Sequence, residues 1–271
     1  MRLVRAPYRR IWLTATAVPA LAAVFAFGPA ASAASNVHYV ALGDSYSSGL
    51  GAGSYDSSSG SCDRSANAYP QQWANANAPA SFTFAACAGA TTSDVLSSQV
   101  SSVSSSTTLV SITIGGNDAG FSSVMETCVL EPDSSCISAI SSAESFVNNQ
   151  LPARLDATLR AIRSHAPSAR IVVLDYPDFY DLSQSSGCIG LSTAKRTAID
   201  QGADDLDGVI SAAAARNGDT FSDVRSHFSG HEICDSGSWL HSVTIPINES
   251  YHPTANGQEL GYLPAFSAVT G

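Results

Sequence analysis

Charge is the scarcest commodity in this sequence. Charged residues make up 13% of the 271, about half the share of an ordinary globular chain. Basic residues number thirteen against twenty-three acidic ones, a formal net charge of −10. So acidic a chain is a poor counterion for nucleic acid or for an anionic membrane surface, and nucleic acid is excluded as a partner. The surface falls to Ser, Thr, Asn, Gln and Gly, a composition that exported proteins use. No C-x-x-C pair occurs among the six cysteines, which weakens zinc and thiol-redox readings. Neither an internal repeat nor a Pro-rich linker interrupts the chain. With 44% hydrophobic residues, disorder is excluded and one domain with a sizeable core is expected.

The first segment is set apart from that domain. Arg2, Arg5, Arg9 and Arg10 precede an apolar stretch over residues 11–27, and Ala31-Ser32-Ala33 follows. Basic, then apolar, then A-x-A is the order of a secretory signal. A membrane anchor is the alternative, opposed by Pro19, Thr14, Thr16 and the small-residue exit. Arg9-Arg10 loosely matches a twin-arginine signal, and the export route stays open. The reading is a signal peptide over residues 1–33, a domain over 34–271, and a secreted, extracellular protein.

Cys62, Cys87, Cys128, Cys136, Cys188 and Cys234 all follow the signal. An even count in an exported chain reads as disulfides, and six cysteines allow fifteen connectivities. Short loop closure favours Cys128–Cys136 and Cys62–Cys87, leaving Cys188–Cys234.

Five segments have strand character: residues 37–43, 81–86, 109–114, 171–176 and 220–224. LVSITI and IVVLDY are near-continuous apolar runs, as strands buried on both faces are. Leu151, Leu155, Leu159 and Ile162 recur at helical spacing before Ala166-Pro167, as do Ile199, Ala203, Leu206, Ile210 and Ala213 before Asn217-Gly218. Strands alternating with helices imply an α/β fold, a parallel sheet with helices on both faces. The Ser-rich residues 97–108 read as a surface loop.

In such a sheet function collects at the carboxyl edge of the strands. Three strands end there in clusters of small residues: Gly43-Asp44-Ser45-Tyr46-Ser47-Ser48-Gly49, Cys87-Ala88-Gly89-Ala90-Thr91 and Gly115-Gly116-Asn117-Asp118. Small residues let the backbone approach a ligand, and free amides stabilise an oxyanion. A serine that attacks an ester needs a base, and six histidines are present. His38 lies in a strand and His165 at a helix end, which suits structural roles. His227 and His231 are four apart, a metal-compatible spacing, but Ser229 and Gly230 weaken the helix. His241 has no evident partner. His252, in Asn248-Glu249-Ser250-Tyr251-His252-Pro253-Thr254, sits in a polar loop able to return over the sheet edge.

Gly43-Asp44-Ser45, Gly89, Gly115-Gly116-Asn117-Asp118 and His252-Pro253 resemble, in order and across almost the whole mature chain, the blocks of the GDSL or SGNH hydrolase family. The wording GDSYSSG, IGGNDAGF and SYHPTANGQ with six cysteines is most similar to the secreted lipases and esterases of streptomycetes. The resemblance implies a flavodoxin-like three-layer α/β/α fold with a five-stranded parallel sheet in the order 2-1-3-4-5. It also implies Ser45 as nucleophile, His252 as general base and then acid, and an oxyanion hole from the amides of Ser45 and Gly89 with the Asn117 side chain. No cofactor or metal is implied.

The family pattern has Asp three residues before the His, where this chain has Glu249. Some relatives with similar SYHP wording orient the His by a main-chain carbonyl, and Ser250 supplies the candidate. A Ser45–His252 dyad oriented by Ser250 is favoured over a triad with Glu249. Ser45 is followed by Tyr46-Ser47 rather than x-Gly, so this is not the Gly-x-Ser-x-Gly elbow, and an open cleft without a large lid is expected.

Leu50, Phe121, Val124, Phe179 and Tyr180 are candidate apolar contacts for an acyl group. The implied activity is hydrolysis of fatty-acyl carboxylic esters by a monomer with transient lipid-surface contact. Phospholipase A-type and carbohydrate acetyl esterase activities are the alternatives, since fold alone does not choose between them. A non-catalytic binding module would be expected to have lost Ser45, Asn117 or His252, and all three are present.

Overall fold

Near-continuous apolar runs can be satisfied only where both faces of a strand are covered, and that is where the chain puts them. The structure, a computed structural model, describes residues 36–183 and 190–270. The proposed signal segment and Cys188 lie outside these residues. The strands are β1 (His38–Gly43), β2 (Ser81–Phe84), β3 (Leu109–Thr113), β4 (Arg170–Leu174) and β5 (Thr220–Ser222). They form one sheet in the order β2-β1-β3-β4-β5, the order the resemblance implies. Every pair is parallel, with Tyr39 opposite Leu109 and Leu109 opposite Arg170. β3 is buried throughout, whereas the edge strand β2 alternates exposed and half-buried residues.

The helices are α1 (Ser45–Ser48), α2 (Tyr69–Asn77), α3 (Thr92–Asp94), α4 (Phe121–Leu130), α5 (Asp133–Asn149), α6 (Leu151–His165), α7 (Thr193–Asn217), α8 (Arg225–Phe228) and α9 (Leu263–Thr270). α2 and α9 cover one face of the sheet, where Tyr39 of β1 meets Trp73 and Phe266 with ring centroids 5.2 and 5.6 Å apart. α6 and α7 cover the other. Leu151, Leu155, Leu159 and Ile162 form the buried stripe of α6, as their spacing predicts. α7 is longer than its apolar pattern, because the Ser192 hydroxyl caps its start and Gly218, at φ +70°, closes its end.

Two segments differ from expectation. Residues 97–108 are not a plain surface loop. Val95–Gln99 is a π-helical turn running into a 3-10 turn at Val100–Ser102, with Gln99, Val100, Val103 and Thr107 buried. The serines face outward while those four residues supply the inner face. α5 was not anticipated at all. It buries Cys136, Ile140 and Val147, a sparse stripe hidden among serines of modest helix propensity. Disulfides join Cys62 to Cys87 and Cys128 to Cys136, the second tying α4 to α5. Cys234 is also disulfide-bonded. No helix among the described residues is long and apolar enough to cross a membrane.

Candidate active site

The turn after β1 carries the site because Gly43 can adopt a conformation that other residues cannot. Its φ is +122°, and a Cβ there would lie 2.5 Å from Thr113 O and 2.8 Å from Ser47 Oγ. Closure of the turn against β3 follows, with Asp44 N donating to Thr113 O at 3.0 Å. Both polar groups of the Gly43 backbone are held by one side chain: Gly43 N donates to Gln99 Oε1 at 2.7 Å, and Gln99 Nε2 donates to Gly43 O at 2.8 Å. Sequence reasoning missed Gln99 because it lies in the stretch read as a loop.

Asp44 caps α1 and is buried. Its Oδ1 accepts from Tyr46 N at 3.0 Å and from Thr113 Oγ1 at 2.7 Å, and its Oδ2 accepts from the Tyr176 hydroxyl. Burial pushes the Asp44 carboxyl up to about 6, against the lowering effect of these three bonds. The Tyr176 hydroxyl also accepts from Gly116 N at 3.1 Å, so the Gly43 and Gly115 clusters are joined through one aspartate and one tyrosine.

Ser45 opens α1, and its Oγ lies 2.7 Å from His252 Nε2. His252 Nδ1 lies 3.0 Å from Ser250 O. A carbonyl only accepts, so Nδ1 carries the proton and Nε2 is left to accept from the serine hydroxyl. Ser45 and His252 are each 6% exposed. Burial pulls the imidazole down to about 4, the Ser250 carbonyl opposing that shift. At neutral pH the ring is therefore an uncharged base. Behind it, Tyr46 OH donates to Tyr251 O at 2.6 Å, tying the histidine loop to α1.

Glu249 lies elsewhere. Its Oε1 accepts from Tyr55 OH at 2.6 Å, and the His252 ring nitrogens are taken by Ser45 and Ser250. Asn117 Nδ2 donates to Ala90 O at 3.0 Å, which draws its amide to the turn containing Gly89. Gly89 has φ +78° and open space where a Cβ would stand. The backbone amides of Ser45 and Gly89 donate to none of the described residues in the hydrogen bonds found. His231 stacks on Trp239 at 3.7 Å, with Nδ1 3.2 Å from Gly237 O. No group of three His, Cys, Asp or Glu side chains among the described residues is arranged to hold a metal.

A cavity of about 80 Å³ opens beside Ser45, walled by α4, α5 and α7. Phe121, Val124 and Phe179 line it as expected, whereas Leu50 and Tyr180 are buried away from it. The remaining walls are Met125, Ile140, Val147, Ile199 and Leu206, with Ala143, Gly202 and Ala203 between them. The cleft is thus a walled apolar pocket rather than a shallow groove, because α4 and α5 stand beside the sheet edge. Ile140, Ala143 and Val147 escaped sequence reasoning because α5 did, whereas Ile199, Ala203 and Leu206 were read only as the inner stripe of a helix.

The structure thus sets a buried serine–imidazole pair at the carboxyl edge of a doubly wound parallel sheet. The chain belongs to the GDSL-like lipase/acylhydrolase family, whose model matches residues 41–260, and it is a carboxylic ester hydrolase. It is 51% identical over 95% of its length to a lipase of Streptomyces rimosus, 97% of which is covered. It superposes with a TM-score of 0.84 on the crystal structure of an extracellular lipase from that organism, at 54% identity, covering 86% of this chain and 99% of that one. A phospholipase A1 of Streptomyces albidoflavus superposes with a TM-score of 0.83 at 56% identity, covering 86% and 98%.

Proposed function

We propose that this enzyme is an exported lipase that cleaves fatty-acyl esters through an acyl-Ser45 intermediate. The observation that carries the reading is the 2.7 Å contact between Ser45 Oγ and a His252 ring whose other nitrogen faces a carbonyl. Ser45 Oγ attacks the ester carbon as its proton passes to His252 Nε2. The carbonyl oxygen becomes an oxyanion, held by the amides of Ser45 and Gly89 and by the free hydrogen of Asn117 Nδ2. Collapse expels the alcohol, which takes the proton from Nε2. Water, deprotonated at the same nitrogen, then attacks the acyl carbon, and collapse breaks the bond to Ser45 Oγ, which takes the proton back from Nε2 as the acid leaves. Each oxyanion donor is worth ~2.7–4 kcal/mol of barrier. Ser250 O orients the imidazole throughout.

The apolar pocket takes the acyl chain, and its walls on three helices suit an alkyl tail better than an acetyl group. A phospholipase A1 reading has its own support in the 56% identical relative that bears that name. Export rests on the sequence of residues 1–33 and on the likeness to an extracellular lipase.

The test is a series of nitrophenyl esters from acetate to palmitate, with Ser45→Ala as blank. Turnover extending to medium and long chains is expected. A wild-type rate equal to the blank throughout would overturn the reading, and turnover confined to acetate and butyrate would replace it with a small-acyl esterase.

A further inference from the structure

Val243, Ile245 and Ile247 are 49%, 94% and 70% exposed. They alternate along one loop, residues 242–250, whose stem is part of the site. His241 N donates to His252 O at 2.9 Å, and Tyr251 N donates to His241 O at 3.0 Å. Two further contacts fix the stem to the nucleophile side of the cleft: His241 Nε2 lies 2.8 Å from Gly51 O, and Tyr55 OH donates to Glu249. The loop is ordered by its own bonds, Thr244 N to Ser250 Oγ at 3.0 Å and Ser250 N to Ile247 O at 3.1 Å. A scattered exposed isoleucine is ordinary on a protein surface, but three aliphatic side chains turned outward from one ordered turn form a patch.

We propose that this tip seats the enzyme on an uncharged or zwitterionic lipid surface, with Val243, Ile245 and Ile247 entering the acyl layer. The proposal rests on the acyl-ester reading above. Charge selects the kind of surface. Residues 242–250 contain no Lys or Arg, their one acid is Glu249, and the chain as a whole carries −10. Electrostatics therefore opposes an anionic bilayer, and apolar burial has to supply the affinity. The patch is also continuous with the chemistry, since Ser250, at the end of the same loop, holds His252 Nδ1. Seating the tip places the mouth of the site at the surface where long-chain esters reside, and leaves a dissolved ester unaffected.

The experiment compares the wild-type enzyme with the double variant Ile245→Ser/Ile247→Ser. Binding is measured by flotation with vesicles of ether-linked phosphatidylcholine, which present the surface without a cleavable ester, and with the same vesicles carrying phosphatidylglycerol. Turnover is measured on dissolved nitrophenyl butyrate and on emulsified long-chain triacylglycerol. The double variant is expected to bind phosphatidylcholine vesicles at least about tenfold more weakly, given what burying two isoleucines contributes. It should lose emulsion activity in proportion while keeping kcat/KM on the dissolved ester. Added phosphatidylglycerol should weaken wild-type binding. A separate Ile247→Trp variant should shift its emission to the blue on phosphatidylcholine vesicles. Vesicle binding equal in wild type and double variant, or absent in the wild type, overturns the proposal, as does a parallel loss on the dissolved ester. Normal wild-type turnover of the dissolved ester in those cases leaves the ester-hydrolase reading standing; its absence would sink both.

Discussion

Glu249→Gln separates two ways of holding an imidazole. In a triad the carboxylate compensates the imidazolium that forms as Ser45 attacks, and removing its charge lowers kcat by roughly 10⁴. In the present structure Glu249 accepts from Tyr55 OH, and His252 Nδ1 faces Ser250 O at 3.0 Å. Gln keeps an oxygen for Tyr55, so the change weakens one charge-assisted hydrogen bond to a neutral one, a difference of about 1 kcal/mol. Most of that falls on the stability of the loop rather than on the barrier. The expectation is kcat on nitrophenyl butyrate within about fivefold of wild type, with a small fall in Tm. A loss of ~10³ or more in kcat, at unchanged KM and Tm, would mean that Glu249 swings onto His252 in the working enzyme. The dyad assignment would then be wrong.

The acid limb of kcat/KM should fall near pH 4 rather than 6.5, because burial keeps His252 neutral down to about 4; a limb near 6.5 would show that water reaches the ring more freely than this packing allows. Stability should rise on acidification from pH 8 to 5. Burial raises Asp44 to about 6, Asp200 to about 7 and Asp175 to about 8, so each contributes stability that is complete below its unfolded value near 4 and lost as pH climbs through its folded one. His252, with its lowered value, opposes this only between 6.5 and 4 and is outnumbered; a Tm higher at pH 8 than at 5, read by calorimetry, would contradict the argument. Gln99→Ala leaves the buried Gly43 N without its partner, while Gly43 O keeps the bond from Cys87 N, and should cost about 1–3 kcal/mol in denaturant unfolding. Gly202→Val, introduced where even a Cβ would lie 3.3 Å from Ile140 Cγ2, should narrow the pocket and shift preference toward short acyl chains; an unchanged chain-length profile would move the acyl site elsewhere.

What was legible in the sequence followed from periodicity and from small residues at strand ends. Buried strands are hard to hide, because LVSITI and IVVLDY are near-continuous apolar runs, and the four-and-three spacing of α6 is equally open. The sheet order is another matter, since periodicity does not order strands; it came with the resemblance, as did the pairing of Ser45 with His252 across 207 positions. α5 stayed hidden because only Cys136, Ile140 and Val147 mark its inner face, and with it went one wall of the pocket. Gln99 and Tyr176 were missed for a different reason. Each makes its contribution through one polar group to a residue far away in sequence, and neither composition nor spacing carries that signal.

Those two residues bear on how a helix as short as α1 can hold Ser45 in one position. Four residues cannot hold themselves in a helix, since nucleation alone is unfavourable. The turn is instead held from outside at several polar groups. Gln99 holds the Gly43 peptide, Thr113 and Tyr176 hold the Asp44 side chain, and Gln258 Nε2 donates to Tyr46 O at 3.0 Å. Each partner arrives from a different element, so the position of Ser45 is set by the packing of the sheet and not by local propensity. The network is costly, because it keeps a carboxylate out of water with its value raised to about 6. On linkage that amounts to about 3 kcal/mol against the fold at neutral pH. Replacing Asp44 by an apolar residue would remove that cost but leave the buried Tyr46 N and Tyr176 hydroxyl without their acceptor, a penalty of about 1–3 kcal/mol each. The two effects are of similar size, so the fold should gain little, while Ser45 would lose its fixed distance from His252. The buried acid therefore preorganises Ser45 at a small net effect on stability.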